Sequence, residues 1–261
     1  MQPINQNQNR ILEKKTVAII IMFVFTFAQL NAQIVTDRPD QTESSSTVGS
    51  GNLQLESGLL IGFEGEDQNS NRQILAPTNL FRYGITESVE LRLLSQFETF
   101  KNNDVSFQGI SDLEIGTKIQ ILKNEEQTTE IAFLTHLIIP SGTKELTSDK
   151  AGSISKLSIS HVINEKMGIG YNLGYNYFGE GKGDLTYSLA FGISVNDKVG
   201  IYVEPYGELA ELEEHISNFD AGVTYLANEN LQFDLSFGSG INKRMNYISV
   251  GFSWLILNDK K

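Results

Sequence analysis

Apolar and polar residues alternate along most of this chain. Between Leu53 and Trp254, segments reading apolar, polar, apolar, polar recur about a dozen times, and their polar members include charges. From Val89 to Glu98 the apolar set contains Val89, Leu91, Leu93 and Phe97, and the polar set contains Glu90, Arg92, Gln96 and Glu98. Leu113 to Ile121 keeps the same parity, with Leu113, Ile115 and Ile119 set against Glu114, Lys118 and Gln120. A period of two places the two sets on opposite faces of a strand. The pattern predicts strands at 52–63, 73–85, 89–98, 109–122, 128–140, 153–163, 167–178, 184–195, 199–208, 218–226, 231–240 and 247–256. Pro77 weakens the second of these and Pro205 the ninth, because proline cannot donate to a ladder. A soluble sandwich also alternates. Strands of ~9–11 residues along the whole chain suit a transmembrane, antiparallel, up-and-down β-barrel better.

The connections alternate as well. Short polar turns are expected at Thr86–Ser88, Lys123–Gln127, Asn164–Lys166, Asn196–Lys198 and Ala227–Asn230. Between them lie mostly longer segments: Glu64–Arg72, Thr99–Gln108, Ser141–Gly152, Gly179–Gly183, Leu209–Ser217 and Ile241–Asn246. Tight periplasmic turns and larger external loops give this rhythm in bacterial barrels. Its phase places both chain ends in the periplasm.

The first residues change the picture by setting a compartment. Arg10, Lys14 and Lys15 precede an apolar run from Val17 to Phe27, and Leu30-Asn31-Ala32 offers a small residue for cleavage. The run is too short to span a bilayer, so residues 1–32 are expected to be a signal peptide. Residues 33–51 are then a polar periplasmic leader or partial plug, 52–257 the barrel, and 258–261 a C-terminal tail.

One strand face collects Leu53, Leu55, Leu59, Ile61, Val89, Leu91, Leu93, Leu113, Ile115, Ile119, Ile131, Phe133, Leu137, Leu189, Phe191, Val223, Leu235, Val250 and Phe252 and is the expected lipid face, with Tyr83, Tyr171, Tyr175, Tyr177, Tyr187, Tyr225 and Trp254 near strand ends as interfacial anchors. The opposite face supplies the expected pore lining: Arg82, Glu90, Arg92, Glu98, Asp112, Glu114, Lys118, Lys156, Glu204, Asp220 and Asp234. Acids outnumber bases there, and the chain carries a formal charge of −12. Such a lumen is wet or crossed by ion pairs, since unpaired buried charge is costly, and an open one favours cations or neutral solutes. Inward glycines, among them Gly174, Gly222 and Gly238, leave room beside larger groups. The acidity and the lack of a basic patch argue against nucleic acid as a partner. Cysteine is absent, which removes disulfides, thiol nucleophiles and cysteine metal sites. His136, His161 and His215 are scattered without ligand spacing, so no metal or cofactor is expected.

Thr36-Asp37-Arg38-Pro39-Asp40-Gln41-Thr42-Glu43-Ser44, followed by Gly51 to Gly58, resembles the start of a family of outer-membrane transporters grouped under the MetA pathway of phenol degradation. Arg82-Tyr83-Gly84-Ile85, Val89-Glu90-Leu91-Arg92, Gly109 to Lys118 and Pro140-Ser141-Gly142 are similar to later parts of it. The resemblance covers most of the chain after residue 32 and is sharpest in its first half. It implies an outer-membrane barrel of a Gram-negative-type bacterium that passes small, often hydrophobic or aromatic, solutes. The C-terminus departs from the usual terminal aromatic, running past Trp254 to Lys261. Expected partners are outer-membrane lipid, a small-molecule solute and the barrel assembly machinery; the oligomeric state stays open.

In the leader, Asp37, Arg38 and Asp40 are expected at the periplasmic mouth or in the lumen, with Arg38 pairing with Glu90 or Asp112 and holding the leader as a partial plug. Arg38-Pro39-Asp40 is equally good chemistry for an exposed turn. The expected function is passive uptake or efflux without catalysis. Two alternatives stand beside it. His215-Ile216-Ser217-Asn218 resembles the His-x-Ser-Asn of outer-membrane phospholipase A, with His215 and Ser217 as base and nucleophile, although the residues after it depart from that motif. A structural or adhesion barrel is the other, and the short external loops argue weakly against it.

Overall fold

The computed structural model describes residues 34–65, 70–102, 105–123 and 128–258. The segment 1–32, expected to be a signal peptide, lies outside the described residues, as do parts of the connections expected at Glu64–Arg72, Thr99–Gln108 and Lys123–Gln127 and most of the tail 258–261. The elements are β1 (Leu53–Glu64), β2 (Asn71–Gly84), β3 (Val89–Asn102), β4 (Val105–Ile110), β5 (Leu113–Leu122), β6 (Thr129–Ile139), β7 (Gly152–Asn164), β8 (Met167–Tyr177), β9 (Asp184–Ser194), β10 (Val199–Ala210), β11 (Glu214–Asn228), β12 (Leu231–Gly240) and β13 (Met245–Ile256).

Neighbours in sequence pair antiparallel around the sheet, and β1 pairs with β13, so the sheet closes on itself. β4 and β5 both pair with β3 and act as one barrel strand interrupted at Ser111 and Asp112. The result is a closed antiparallel barrel of twelve strands. Apart from β4, which pairs with β3 alone, every strand has a neighbour on both sides, the condition for crossing hydrocarbon with strands.

The parity of the sequence sorts cleanly between the two faces. Leu91, Leu93, Ile119, Phe133, Leu137, Phe233, Leu235 and Val250 are exposed on the outer wall. Cross-strand pairs such as Phe233↔Phe252 and Leu235↔Val250 make that belt continuous. Tyr83, Tyr225 and Trp254 are exposed near the short-turn end, and Tyr175 and Tyr187 near the other. The alternate residues are buried inside: Gln54, Glu56, Arg82, Glu90, Arg92, Lys118, Ser158, Glu204, Asp220 and Ser253. This is the reverse of a soluble sandwich, whose apolar set would be the buried one.

Both prolines act where expected. The β2–β3 register shifts between Leu75 and Thr78, around Pro77. β10 forms no ladder pair with β9 at Glu204 or Pro205, although its register is the same on either side.

The outer hairpins correct the boundaries read from sequence. Leu209–Ser217 was expected to be a loop, yet β10 runs to Ala210 and β11 starts at Glu214, leaving a three-residue turn in which Glu211 and Leu212 have φ of 52° and 56°. Thr99–Gln108 likewise contains the end of β3 and most of β4. Above the apolar belt both faces of a hairpin meet water. Alternation is lost there while the ladder continues.

Candidate functional site in the barrel lumen

The leader enters the lumen. It rises from Ile34 near the short-turn end, which is the periplasmic end by the rule of short turns, turns over at Asp40 and Gln41 near mid-barrel, and returns to Val48 beside the start of β3. Its polar sequence makes this possible. A segment threaded through a charged lumen must pair its backbone groups with wall side chains. The Asp37 amide donates to Glu56, Gln41 N to Glu204 at 2.7 Å, Glu43 N to the Asn172 amide oxygen at 2.7 Å, and Val48 N to Glu90 at 3.0 Å.

The strongest anchorage is the Asp37 carboxylate. Arg92 donates to it at 2.6 Å, Lys118 to both of its oxygens at 2.9 Å, and an Arg82 Nη lies 3.5 Å away. Arg82 also bonds Glu56 at 2.9 Å and Glu90 at 2.9 Å through Nε. Burial would push the Asp37 carboxyl up, but Arg82, Lys118 and Arg92 together hold it well below the usual carboxylate range. Arg92 further donates to Glu43 of the returning limb at 2.7 Å and to His136 Nε2 at 2.8 Å, while His136 Nδ1 meets Glu114 at 2.8 Å. Lys156 lies 3.7 Å from Glu43. Arg82, Glu90, Arg92, Glu114, Lys118 and Lys156, all read as pore-lining, are thus gathered on one side of the lumen around the leader.

Arg38 does enter the lumen, but its partner is neither Glu90 nor Asp112. Its guanidinium takes Asp234 through two nitrogens, at 2.9 and 3.2 Å, and donates to the Ser249 hydroxyl at 3.1 Å. The physical reason lies in the wall. Gly58 and Gly251 pair across β1 and β13, and a Cβ at either would fall within 2.6 Å of the guanidinium. The side chain lies flat on that bare backbone.

Two more placements differ from expectation. Asp112 sits at the break between β4 and β5 and holds an external loop. It accepts from the amides of Ser141, Gly142 and Ser148 and from the hydroxyls of Thr147 and Ser148. Burial raises its carboxyl, but those hydrogen bonds bring it well below the ordinary value. Glu98, inward but near the external end, is held by Gln73 at 2.7 Å and Ser111 at 2.9 Å. Sequence reasoning missed Glu43, His136 and Asn172 as leader contacts. Only their parity, or their place in the leader, could have indicated them.

Above the leader's tip the lumen is hollow. Gln41 floors two adjoining cavities. One, of about 300 Å³, is lined by Asn172, Asn176, Thr186, Ser188 and Asn218, with Glu208 and Lys156 at its sides. The other, of about 250 Å³, is lined by Leu60, Phe100, Met245 and Tyr247 together with Glu64, Asn71 and Gln73. Tyr206 borders both. The external half of the lumen is therefore a vestibule with an amide- and hydroxyl-rich wall facing a mixed one, where Leu60, Phe100 and Met245 stand beside Glu64, Asn71 and Gln73.

On the outer wall, Tyr187 OH lies 2.9 Å from His215 Nε2, and Ser217 Oγ lies 3.2 Å from the same nitrogen. The Asn242 amide bonds the backbone of both His215 and Ser217. Among the described residues no carboxylate contacts the imidazole.

The barrel is similar to a solved outer-membrane channel of Pseudomonas putida F1, the COG4313 channel, with a TM-score of 0.67, 10% identity, and coverage of 81% of this chain and 98% of that one. It is also similar to the KdgM porin in complex with disordered oligogalacturonate, with a TM-score of 0.53, 11% identity, and coverage of 77% and 98%. At such identities the likeness is one of fold. No curated protein matches the chain. The family model described as "Putative MetA-pathway of phenol degradation" matches residues 36–254.

Proposed function

The chain belongs to that MetA-pathway family, and from this premise we propose that it is an outer-membrane channel through which small solutes pass passively, with the folded leader setting the width of the pathway. The observation that carries this reading is the vestibule. It is a hollow of mixed polar and apolar lining inside a closed wall, and its floor is a chain segment held by side chains rather than by the wall's own ladder. Solute-binding cavities combine an apolar surface with a few placed polar groups, as this one does. The solute class fitting it is small and in part hydrophobic or aromatic, since Leu60, Phe100, Tyr206 and Met245 supply apolar surface among the amides and hydroxyls. Lipid surrounds the apolar belt, and the barrel assembly machinery inserts it.

The reading includes no catalysis. His215 and Ser217 do meet on the lipid side, but Tyr187 shares the imidazole nitrogen that would take the serine proton, and among the described residues no acid orients the ring. Ser217→Ala should leave phospholipid hydrolysis by the purified protein at background, as in the unsubstituted chain. Hydrolysis above background that vanished in this variant would replace the channel reading with an enzymatic one. The channel itself is tested by planar-bilayer recording with ion gradients: discrete steps with cation preference are expected, and a silent bilayer at high protein load contradicts it.

A further inference from the structure

Ion pairs on the external rim pass from one hairpin to the next. Lys150 of the β6–β7 connection meets Glu180 of the β8–β9 connection at 3.1 Å. Lys182, two residues on, meets Glu213 in the β10–β11 turn. Glu214, the first residue of β11, meets Lys243 of the β12–β13 connection at 2.8 Å. Each of these bases has an acid to face.

On β2 and β3 the pattern changes. Arg72 on β2 and Lys101 on β3 stand directly opposite one another in the ladder, and both are exposed. Their chain neighbours Gln73 and Phe100 line the vestibule, so the period of two turns Arg72 and Lys101 to the outer wall. Like charges directly opposite destabilise a strand pair. Neither base has an acid partner among the described residues. The acids closest in the ladder, Glu64 and Glu98, have the inward parity. The chain carries 32 acids against 20 bases, so two bases facing each other without an acid is not a matter of supply.

The surroundings set this pair against lipid. The row reads Phe63, Arg72, Lys101 and Ser106 across β1, β2, β3 and β4. Phe63 is an exposed aromatic. One row closer to the middle of the barrel, Ile61 pairs with Ile74 and Ile74 with Thr99. One row further still, Phe97 and Ile110 pair and are exposed on the apolar belt. Two residues of strand span ~7 Å, so the two cations sit at headgroup depth. Long basic side chains there keep their stems on apolar surface and their charge in the polar layer.

The outer leaflet around such a barrel is glycolipid whose sugar headgroup carries phosphate just outside the acyl chains. A phosphate monoester relieves the opposed charges. It matches a guanidinium with two parallel bonds and accepts from an ammonium as a point charge. We propose that Arg72 and Lys101, with the Ser106 hydroxyl as a further donor, bind the phosphate of an outer-leaflet glycolipid. The site lies on the outer wall and does not depend on what passes through the lumen.

The test incubates the full chain in detergent with diphosphoryl lipid A, or with the same lipid stripped of its phosphates, and measures retained lipid by native mass spectrometry. The phosphorylated form should be retained about tenfold more or better, as hydrogen bonds to charged groups imply. Arg72→Gln combined with Lys101→Gln should reduce retention to that of the stripped lipid. Lys182→Gln removes a base that already faces Glu213 and should leave retention unchanged. Diphosphoryl lipid A should also raise the thermal unfolding midpoint of the unsubstituted chain and not that of the double variant. Equal retention of the two lipids by the unsubstituted chain overturns the proposal, whatever the variants do. So does undiminished retention in the double variant, an equal loss in Lys182→Gln, or a midpoint raised equally in both chains. Displacement of the lipid by inorganic phosphate at equal concentration would mark a site for free anions and overturn it too. A dimer abolished by the double variant, with no lipid bound, would give the surface to a second copy of the chain instead.

Discussion

Single side chains carry the leader's attachment, and their cost can be stated. Removing one partner of a buried ion cluster leaves the others uncompensated, typically at about 3–5 kcal/mol. Asp37→Ala strips the shared acceptor from Arg92 and Lys118. Its urea-unfolding midpoint in detergent should fall clearly below that of the unsubstituted protein; an unchanged midpoint would mean that the cluster adds nothing. Arg38 offers a subtler case. A Cβ at Gly251 would sit 2.4 Å from its Nη2, so Gly251→Ala should push the guanidinium off Asp234. Both Gly251→Ala and Arg38→Ala should raise conductance, and the double variant should add little, because the two act through one contact. Additive increases would show that glycine and arginine act separately. At this scale the sequence was readable by parity alone. Arg82, Glu90, Arg92 and Lys118 could be assigned to the interior, but not to each other. The choice of Asp234 for Arg38 depends on two glycines far apart in the chain.

Strands were the most legible elements, since a wall between lipid and water forces strict alternation. The hairpins beyond the belt were not, because water on both faces removes the constraint that writes the pattern. The break at Ser111 and Asp112 likewise left no periodic trace. Asp112 there organises the connection between β6 and β7 through five hydrogen bonds. Its carboxyl is depressed in the folded state, so its contribution is complete above the ordinary carboxyl range and is lost as pH falls through the depressed value. Loop order should therefore be constant from ~pH 5 to ~pH 8 and weaken only in acid. Asp112→Ala should loosen the loop at every pH, read as faster tryptic cleavage at Lys144 and Lys150. Equal cleavage rates would detach the loop from Asp112.

For the whole molecule, the barrel followed from alternation and length, and the lumen's acidity from composition. The path of the leader did not follow. A polar segment with good turn chemistry has the same composition whether it hangs in the periplasm or threads a charged lumen. What distinguishes the cases is the matching of its amides to Glu56, Glu204, Asn172 and Glu90, which are dispersed over strands far apart in sequence. The lumen that results is divided into an ion-paired base, a tip held by Glu204, Ser188 and Asn172, and a vestibule beyond it. The most direct test of this arrangement is solute-driven swelling of proteoliposomes, comparing the unsubstituted chain with Asp37→Ala/Arg38→Ala. The account predicts measurable entry of small neutral solutes through the unsubstituted barrel and faster entry once both anchors are removed. No entry through either barrel, with both correctly folded in the lipid, would contradict it.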